Sequence, residues 1–227
     1  ALKQYLAFLE ARGLTLRTEE IPVQQALGRV SESAAYGKRQ RANYPACEMI
    51  LQSFLEIEPL MIAALLSGGV QRVSVLAKPR VGVVFLEEES ISQSEGKDRN
   101  ASAALYGAML ARWGAEGVVY RDEAAMLGAP QPVLLRAAQE CDLVLLCVDT
   151  KRRSPADTLG SVGEVCVCAL AIYPGGDTAL GAIGSVPVVC MADEPASGIV
   201  VLEELVKPVL DRLLMRERTI AESVCVK

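Results

Sequence analysis

The feature that constrains the fold most is a set of short, continuous apolar runs in the second part of the chain. The runs cover 81–86, 143–148 and 186–191, and stretches with helical spacing separate them. Apolar runs of this length are typical of strands that are buried on both faces of a parallel sheet. The alternation therefore predicts an α/β fold in three layers, with helices on both faces of the sheet.

The remaining elements complete this prediction and divide the chain. In the second part, the pattern predicts helices over 98–114, 130–140 and about 197–214, and strands over 117–120 and 165–172. In the first part, it predicts a helix over 2–13, a helix from about residue 22, a polar loop over 35–47 and a helix-prone stretch over 48–70. We therefore expect a helical N-terminal segment at 1–72, an α/β domain at 73–216 and a C-terminal tail at 217–227.

Composition excludes several classes of function. The chain has no histidine, which excludes Ser-His-Asp and Cys-His catalysis and every histidine metal site. Its net charge is −5 and aromatic residues make up 4% of it, so we expect neither nucleic acid nor a membrane as a partner. No apolar stretch is long enough to predict a transmembrane helix.

The cysteines indicate buried, reduced thiols in a cytoplasmic protein. Their number, seven, is odd, and four of them lie in apolar runs: Cys147, Cys166, Cys168 and Cys190. The pair Cys166 and Cys168 has no second closely spaced pair to complete four ligands, so we expect no metal site.

In α/β sheets, ligands bind beyond the carboxyl ends of the strands. Basic residues there, Lys151 and Arg152, would attract a small anion such as a phosphate, with Asp149 in the same loop. The pair Gly175 and Gly176 would let a second loop approach the ligand closely. The acidic stretch at 87–89, with Glu88 at its centre, would suit a cation. The alternative for all of these residues is an ordinary solvated surface loop.

Several segments, taken in order along the chain, resemble the molybdopterin molybdotransferase family, which is related to the E domain of gephyrin. The segment 21–30 (IPVQQALGRV) is similar to a family entry segment, and 43–49 (NYPACEM) to its Tyr-Pro-Ala-Ala-Ala-Met-Asp-Gly segment. The segment 68–84 (GGVQRVSVLAKPRVGVV) is similar to the family's lead into its cofactor-binding domain. The resemblance implies a molybdopterin-binding-like domain, molybdopterin as the ligand, and a homodimer.

The resemblance also implies further site residues and shows where this chain departs from the family. Asn100 and Ser102 lie at a helix start where the family holds ligand-contacting residues, although helix capping explains them as well. The family's Met-Asp-Gly becomes 49–51 (MIL), its Ser-Gly-Gly turn becomes 147–149 (CVD), and its Lys-Pro-Gly-Lys-Pro loop becomes 173–177 (YPGGD). Only about twenty residues stand where the family has its second domain, so 1–72 looks like a remnant of its first two domains.

Two functions remain open at this point. The first is a divergent molybdopterin-binding-like protein of molybdenum cofactor biosynthesis, resembling the enzyme that inserts molybdate into molybdopterin. The second is a non-catalytic homologue that acts as a dimeric interaction or scaffold protein and binds no cofactor. The degraded family motifs leave open whether the protein is an enzyme, and we assign no catalytic residue.

Overall fold

A computed structural model describes residues 1–14, 16–41, 44–86, 93–121 and 131–216. The chain forms two compact units. The larger unit consists of Ala1–Thr15 and Lys78–Leu210, and the smaller unit of Leu16–Ala77 and Asp211–Lys227. These limits differ from the predicted division at 72/73: the boundary lies at 77/78, and the first helix, α1 (Leu2–Arg12), belongs to the larger unit. The predicted tail at 217–227 lies outside the described residues.

The smaller unit is built from two antiparallel strand pairs and a helix. Its elements are β1 (Thr18–Pro22), β2 (Ala35–Arg41), β3 (Tyr44–Leu51), α2 (Pro59–Ser67) and β4 (Arg72–Leu76). Strand β1 pairs with β4, and β2 pairs with β3 as a hairpin. Buried apolar residues from these elements, Leu51, Leu65 and Val75 among them, share one small core.

A six-stranded sheet forms the centre of the larger unit. Its strands are β5 (Arg80–Phe85), β6 (Glu116–Arg121), β7 (Leu143–Val148), β8 (Glu164–Val167), β9 (Ala179–Ile183) and β10 (Val186–Ala192). They lie in the order β6-β5-β7-β10-β9-β8. The first four strands in that order are parallel, and β9 is antiparallel to both of its neighbours, β10 and β8.

Helices pack on this sheet, and the middle strands are buried on both faces. Besides α1, the helices are α3 (Gln93–Arg112), α4 (Gln131–Glu140), α5 (Pro155–Gly160), α6 (Pro195–Val201) and α7 (Lys207–Leu213), with a π-helical segment at Leu202–Val206. Leu146 of β7 packs with Leu134 of α4 and Leu159 of α5 in one buried cluster. All six residues of β7 are buried, so side chains on both faces of the sheet are covered. This explains why the strand is a continuous apolar run and does not alternate with polar residues.

The fold class is confirmed, since the structure is an α/β fold around a mostly parallel sheet with the strands predicted at 81–86, 143–148 and 186–191. The strand predicted at 117–120 and the helices predicted at 2–13, 98–114 and 130–140 are also present, with ends that shift by a few residues. The helix predicted from about 197 to 214 is present too, interrupted by the π-helical segment. In the described part of the chain, no helix is long and apolar enough to cross a membrane.

Predictions for the first part of the chain were largely wrong. The residues from about 22 form the end of β1 and a short 3-10 turn at Val23–Gln25 instead of a helix. The predicted polar loop at 35–47 and the first residues of the predicted helix at 48–70 form the β2–β3 hairpin, and only Pro59–Ser67 is helical. Strand pairing decides these segments, because neither the pairs nor their small core are visible in local spacing.

Two corrections concern the edge of the sheet. The strand predicted over 165–172 ends at Val167, because the backbone leaves the extended conformation soon after it, with Ala169 at a positive φ of 54°. Strand β9 was not predicted, since its sequence ALGAI is short and poor in β-branched residues. It forms because both of its neighbours, β8 and β10, offer backbone hydrogen bonds.

Candidate functional site

The carboxyl ends of the parallel strands are the part of the larger unit where the predicted site residues gather. Strand β5 ends at Phe85, β7 at Val148 and β10 at Ala192, and these ends lie in register at one edge of the sheet. Strand β8 runs parallel to β10, since both are antiparallel to β9. The loop after β8 therefore starts at this same carboxyl edge, where α/β proteins bind ligands.

The loop after β7 is organised by Asp149. One carboxylate oxygen of Asp149 accepts a hydrogen bond from the backbone N–H of Lys151 (3.0 Å), and the other lies 3.4 Å from Nε of Arg152. The carbonyl of Asp149 also accepts the N–H groups of Arg152 and Arg153, both at 3.0 Å. The Asp149 carboxylate thus offsets part of the positive charge that the sequence predicts for this loop. The side chain of Lys151 is exposed to solvent.

The loop between β8 and β9 is held from both sides. Leu170 donates its N–H to the carbonyl of Gly176 (2.7 Å), and Thr178 donates its N–H to the carbonyl of Gly175 (3.1 Å). Gly175 has φ of +107°, and a Cβ added there would lie 2.8 Å from Cγ2 of Val201 on α6. Glycine is therefore required at 175 both by the backbone conformation and by the close approach of α6.

A buried polar group lies between α3 and α6. The Tyr106 hydroxyl of α3 donates a long hydrogen bond (3.4 Å) to the carbonyl of Glu194, which precedes α6, and it also bonds with Ser102. Burial raises the pKa of Tyr106 above its ordinary value, and nearby Cys147 and Asp193 raise it further. The phenol therefore stays protonated and acts as a neutral hydrogen-bonding group.

Two further hydroxyls lie near the same edge. Ser197, on α6, is buried and donates to the Glu194 carboxylate (3.0 Å). Thr178 directly precedes β9 and is 1% exposed, and no hydrogen-bond partner for its hydroxyl is found in the described part of the chain. A buried hydroxyl without a partner is uncommon, because leaving its hydrogen bonds unmade costs free energy.

The predicted residues are thus placed as follows. Asp149, Lys151 and Arg152 share one turn, and Gly175 and Gly176 share the loop after β8. Ser102 is buried in the middle part of α3, beside Tyr106, and does not cap that helix, which begins at Gln93. Asn100 lies in α3, but its side chain is outside the described residues, as is all of Glu88. The ligand-binding roles of these residues stay predictions.

Sequence reasoning missed Tyr106, Thr178 and Ser197. One signal was available for the first of them, because Tyr106 follows Ser102 by four residues and so shares its face of a helix. Nothing in the sequence indicates the unpartnered hydroxyl of Thr178. Its environment depends on how the loop after β8 folds back toward α6.

The cysteines only partly follow the prediction of buried thiols. Cys147 and Cys190 are buried in the central strands, but Cys166 is partly exposed and Cys168 is exposed. The reason is that β8 lies at the edge of the sheet and ends before Cys168. Among the described residues, no three Cys, Asp or Glu side chains are grouped so that they could hold a metal ion.

Comparison with solved structures relates this fold to proteins named for molybdenum cofactor or molybdopterin biosynthesis. The chain matches a molybdenum cofactor biosynthesis protein from Pyrococcus furiosus with a TM-score of 0.67 and 19% identity, over 96% of this chain and 73% of that one. It matches a molybdopterin biosynthesis moeA protein from Pyrococcus horikoshii with a TM-score of 0.69 and 18% identity, over 97% and 81% of the two chains. A second structure of a molybdopterin biosynthesis moeA protein, from Pyrococcus horikoshii OT3, matches with a TM-score of 0.68 and 14% identity, over 95% of this chain and 79% of that one.

The sequence matches no protein-family model and no curated protein. At the identities found, the structural matches establish the fold. The fold that the sequence resemblance implied is therefore confirmed, over nearly the whole chain.

Proposed function

We propose that this protein is a molybdopterin-binding-like protein of molybdenum cofactor biosynthesis. One observation carries the proposal: at least 95% of the chain shares its fold with proteins named for molybdenum cofactor or molybdopterin biosynthesis. The order of the resembling sequence segments agrees with it. The ligand in this proposal is molybdopterin, which combines a flat pterin with a phosphate.

The proposed site is the carboxyl edge of the six-stranded sheet. In this proposal, Lys151 attracts the phosphate of the ligand, since its side chain is exposed. Arg152 contributes less, because Asp149 lies 3.4 Å from its guanidinium and offsets its charge. The loop with Gly175 and Gly176 starts at the same edge, but both glycines face the protein itself, so any contact with the ligand would come from the exposed part of this loop.

A titration of the full chain with molybdopterin, followed by pterin fluorescence, tests this proposal. We expect binding that weakens with salt, because screening limits the reach of exposed charges to about 8 Å at physiological ionic strength. The change Lys151→Ala should weaken binding more than Arg152→Ala. Lys78→Ala is the matched control, since it removes an exposed lysine just before β5, at the opposite edge. No binding by the unaltered protein, or equal effects of Lys151→Ala and Lys78→Ala, would contradict the proposal.

Molybdate insertion itself should be absent or very weak. The positions that resemble the family's ligand-handling motifs hold Ile50, Val148 and Asp149 in place of an aspartate and two glycines, and Tyr173 and Gly176 in place of two lysines. Loss of one preorganised anion donor lowers a rate by about 100-fold or more, so several losses together should remove the activity. If this protein restored growth to a strain that lacks the molybdotransferase, it would have the insertion activity and this prediction would be wrong.

The alternative is a non-catalytic homologue that dimerises and binds no cofactor. The acidic groups at the carboxyl edge favour it, since Asp149, Asp193 and Glu194 all repel an anionic ligand. A dimeric protein that gives no signal in the molybdopterin titration would support this alternative.

A further inference from the structure

The side chain of Tyr173 differs from the other large side chains of the carboxyl edge because it contributes almost nothing to packing. It is 97% exposed, whereas Tyr106 at the same edge is fully buried. An aromatic ring that stays in water gives the folded state none of the free energy that burial would supply. The ring is therefore available for contact with another molecule.

The loop that carries Tyr173 is, in contrast, firmly fixed. Hydrogen bonds close it on both sides, from Leu170 to Gly176 and from Thr178 to Gly175. A Cβ at Gly176 would lie 3.1 Å from the carbonyl oxygens of Leu170 and Ile172, so the loop folds tightly on itself. The close approach of Gly175 to α6 fixes it further. The backbone thus holds the position of Tyr173 while its ring remains in solvent.

The location of this ring relates it to the proposed ligand site. The loop leaves β8 at the carboxyl edge, and β8 is separated from β7 by β10 and β9. Three strand spacings place the two loops roughly 14 Å apart at their origins. The side chains of Tyr173 and Lys151 are both exposed on these loops. The edge therefore offers a cation at one point and an aromatic face at another.

From these observations we infer that Tyr173 is a stacking residue for the flat heterocycle of a pterin ligand whose phosphate is bound near Lys151. The inference rests on the proposed function and adds the means by which the pterin is recognised. Tyrosine suits this role because its ring offers a large flat face and loses little conformational entropy on binding. The acidic groups nearby do not oppose stacking, because the contact is made through the neutral ring.

The test compares molybdopterin affinity among single variants of the full chain. Tyr173→Ala should weaken binding by between about 5-fold and 150-fold, the range found when an aromatic residue that stacks on a base is removed. Tyr173→Phe should bind nearly as tightly as the unaltered protein, because the ring remains. Tyr36→Ala is the matched control, since Tyr36 is also exposed but lies in the smaller unit.

A spectroscopic readout separates stacking from an indirect effect on the loop. Trp113 is the only tryptophan of the chain, and it is 8% exposed. In Tyr173→Trp, a second indole should be quenched strongly as molybdopterin binds, while the emission of the unaltered protein should change little.

Three results would overturn the inference. If Tyr173→Ala binds as tightly as the unaltered protein, the pterin does not stack on this ring, although the proposed function stands. If Tyr173→Ala changes the oligomeric state measured by light scattering and not the affinity, the ring contacts another protein chain. If the unaltered protein does not bind molybdopterin, the proposed function fails and the inference fails with it.

Discussion

At the scale of single residues, the close approach of α3 and α6 depends on a glycine. A Cβ at Gly198 would lie 2.1 Å from the hydroxyl oxygen of Tyr106. Tyr106 is fully buried, so its ring has no open space to move into. Helix α6 therefore meets α3 through its backbone at this point.

We expect Gly198→Ala to destabilise the protein by about 1–3 kcal/mol, because the added methyl overpacks this contact. Gly107→Ala is the control, since Gly107 is also helical and a Cβ there would meet nothing within 4 Å. That change should stabilise the protein by about 0.5–1 kcal/mol, because alanine favours a helix more than glycine does. Urea unfolding measures the free energy of unfolding of both variants, and an equal change in the two would refute the packing argument.

At the scale of elements, one hydroxyl fixes α1 on the sheet. Tyr5 is fully buried, and its hydroxyl lies 2.9 Å from the carbonyl of Gly181 on β9 and 3.1 Å from that of Val188 on β10. At the other end of α1, Arg12 forms an ion pair with Glu164 of β8 and donates to the carbonyl of Gly184 (2.7 Å). These contacts explain why the first helix belongs to the larger unit.

The change Tyr5→Phe should lower the free energy of unfolding by about 1–3 kcal/mol, because buried carbonyl groups lose a donor while the ring keeps its packing. Tyr36→Phe provides the comparison, since that tyrosine is 58% exposed and should tolerate the change. Chemical denaturation gives the free energies. Limited proteolysis near residue 13 should also be faster in Tyr5→Phe, and an unchanged rate and stability would argue against a fixing role.

At the scale of the whole molecule, the lack of histidine and the buried thiols and phenols set how stability depends on pH. Without histidine, the chain has no side chain whose ordinary pKa lies between about 5 and 8, so stability should change little over that range. Burial raises the pKa of the Cys190 thiol and of the Tyr5 and Tyr106 phenols above their ordinary values of 9.0 and 10.0.

Because these folded-state pKa values are raised, their contribution to stability is complete below the ordinary values and is lost as the pH rises above them. Urea unfolding at a series of pH values should therefore show a decline that begins near the ordinary thiol pKa of 9.0. In Cys190→Ala the decline should be less steep, whatever the change in absolute stability. If stability begins to decline at a pH well below the ordinary thiol pKa, groups other than these thiols and phenols determine how stability depends on pH.

The homodimer that the resemblance implies stays a prediction, and the exposed apolar residues suggest where to test it. In the smaller unit, Leu60 is 79% exposed and Phe54 is 48% exposed. Phe54 has a positive φ of 58°, and its turn is held by hydrogen bonds with Ser31. Contiguous exposed apolar patches mark interaction sites, whereas single exposed apolar side chains are common, so changing both residues tests whether they belong to an interface.

Light scattering should give twice the chain mass of 24.2 kDa. The double change Leu60→Glu and Phe54→Glu should then shift the mass toward one chain, because charges replace the apolar contact. Leu135→Glu, at a side chain that is 47% exposed in the larger unit, should leave the dimer intact. A mass of one chain for the unaltered protein at low micromolar concentration would rule out the dimer.

The sequence by itself determined the parallel strands at the centre of the sheet of the larger unit. The runs at 81–86, 143–148 and 186–191 became β5, β7 and β10, because strands covered on both faces need continuous apolar residues. This local requirement also placed the carboxyl ends of these strands, and with them Asp149 and Lys151, whereas the position of Gly175 depends on the pairing of β8 with β9. Their common edge could be predicted since parallel strands end on the same side.

Only the tertiary structure decided the rest. Strand β9 and the β2–β3 hairpin form through pairing with other strands, which local spacing does not reveal. The ion pair of Asp149 with Arg152, the buried phenol of Tyr106 and the exposed ring of Tyr173 depend on which loops and helices meet at the edge. The physical reason is that burial and charge pairing depend on how the backbone brings side chains together in space, so they appear only once the chain has folded.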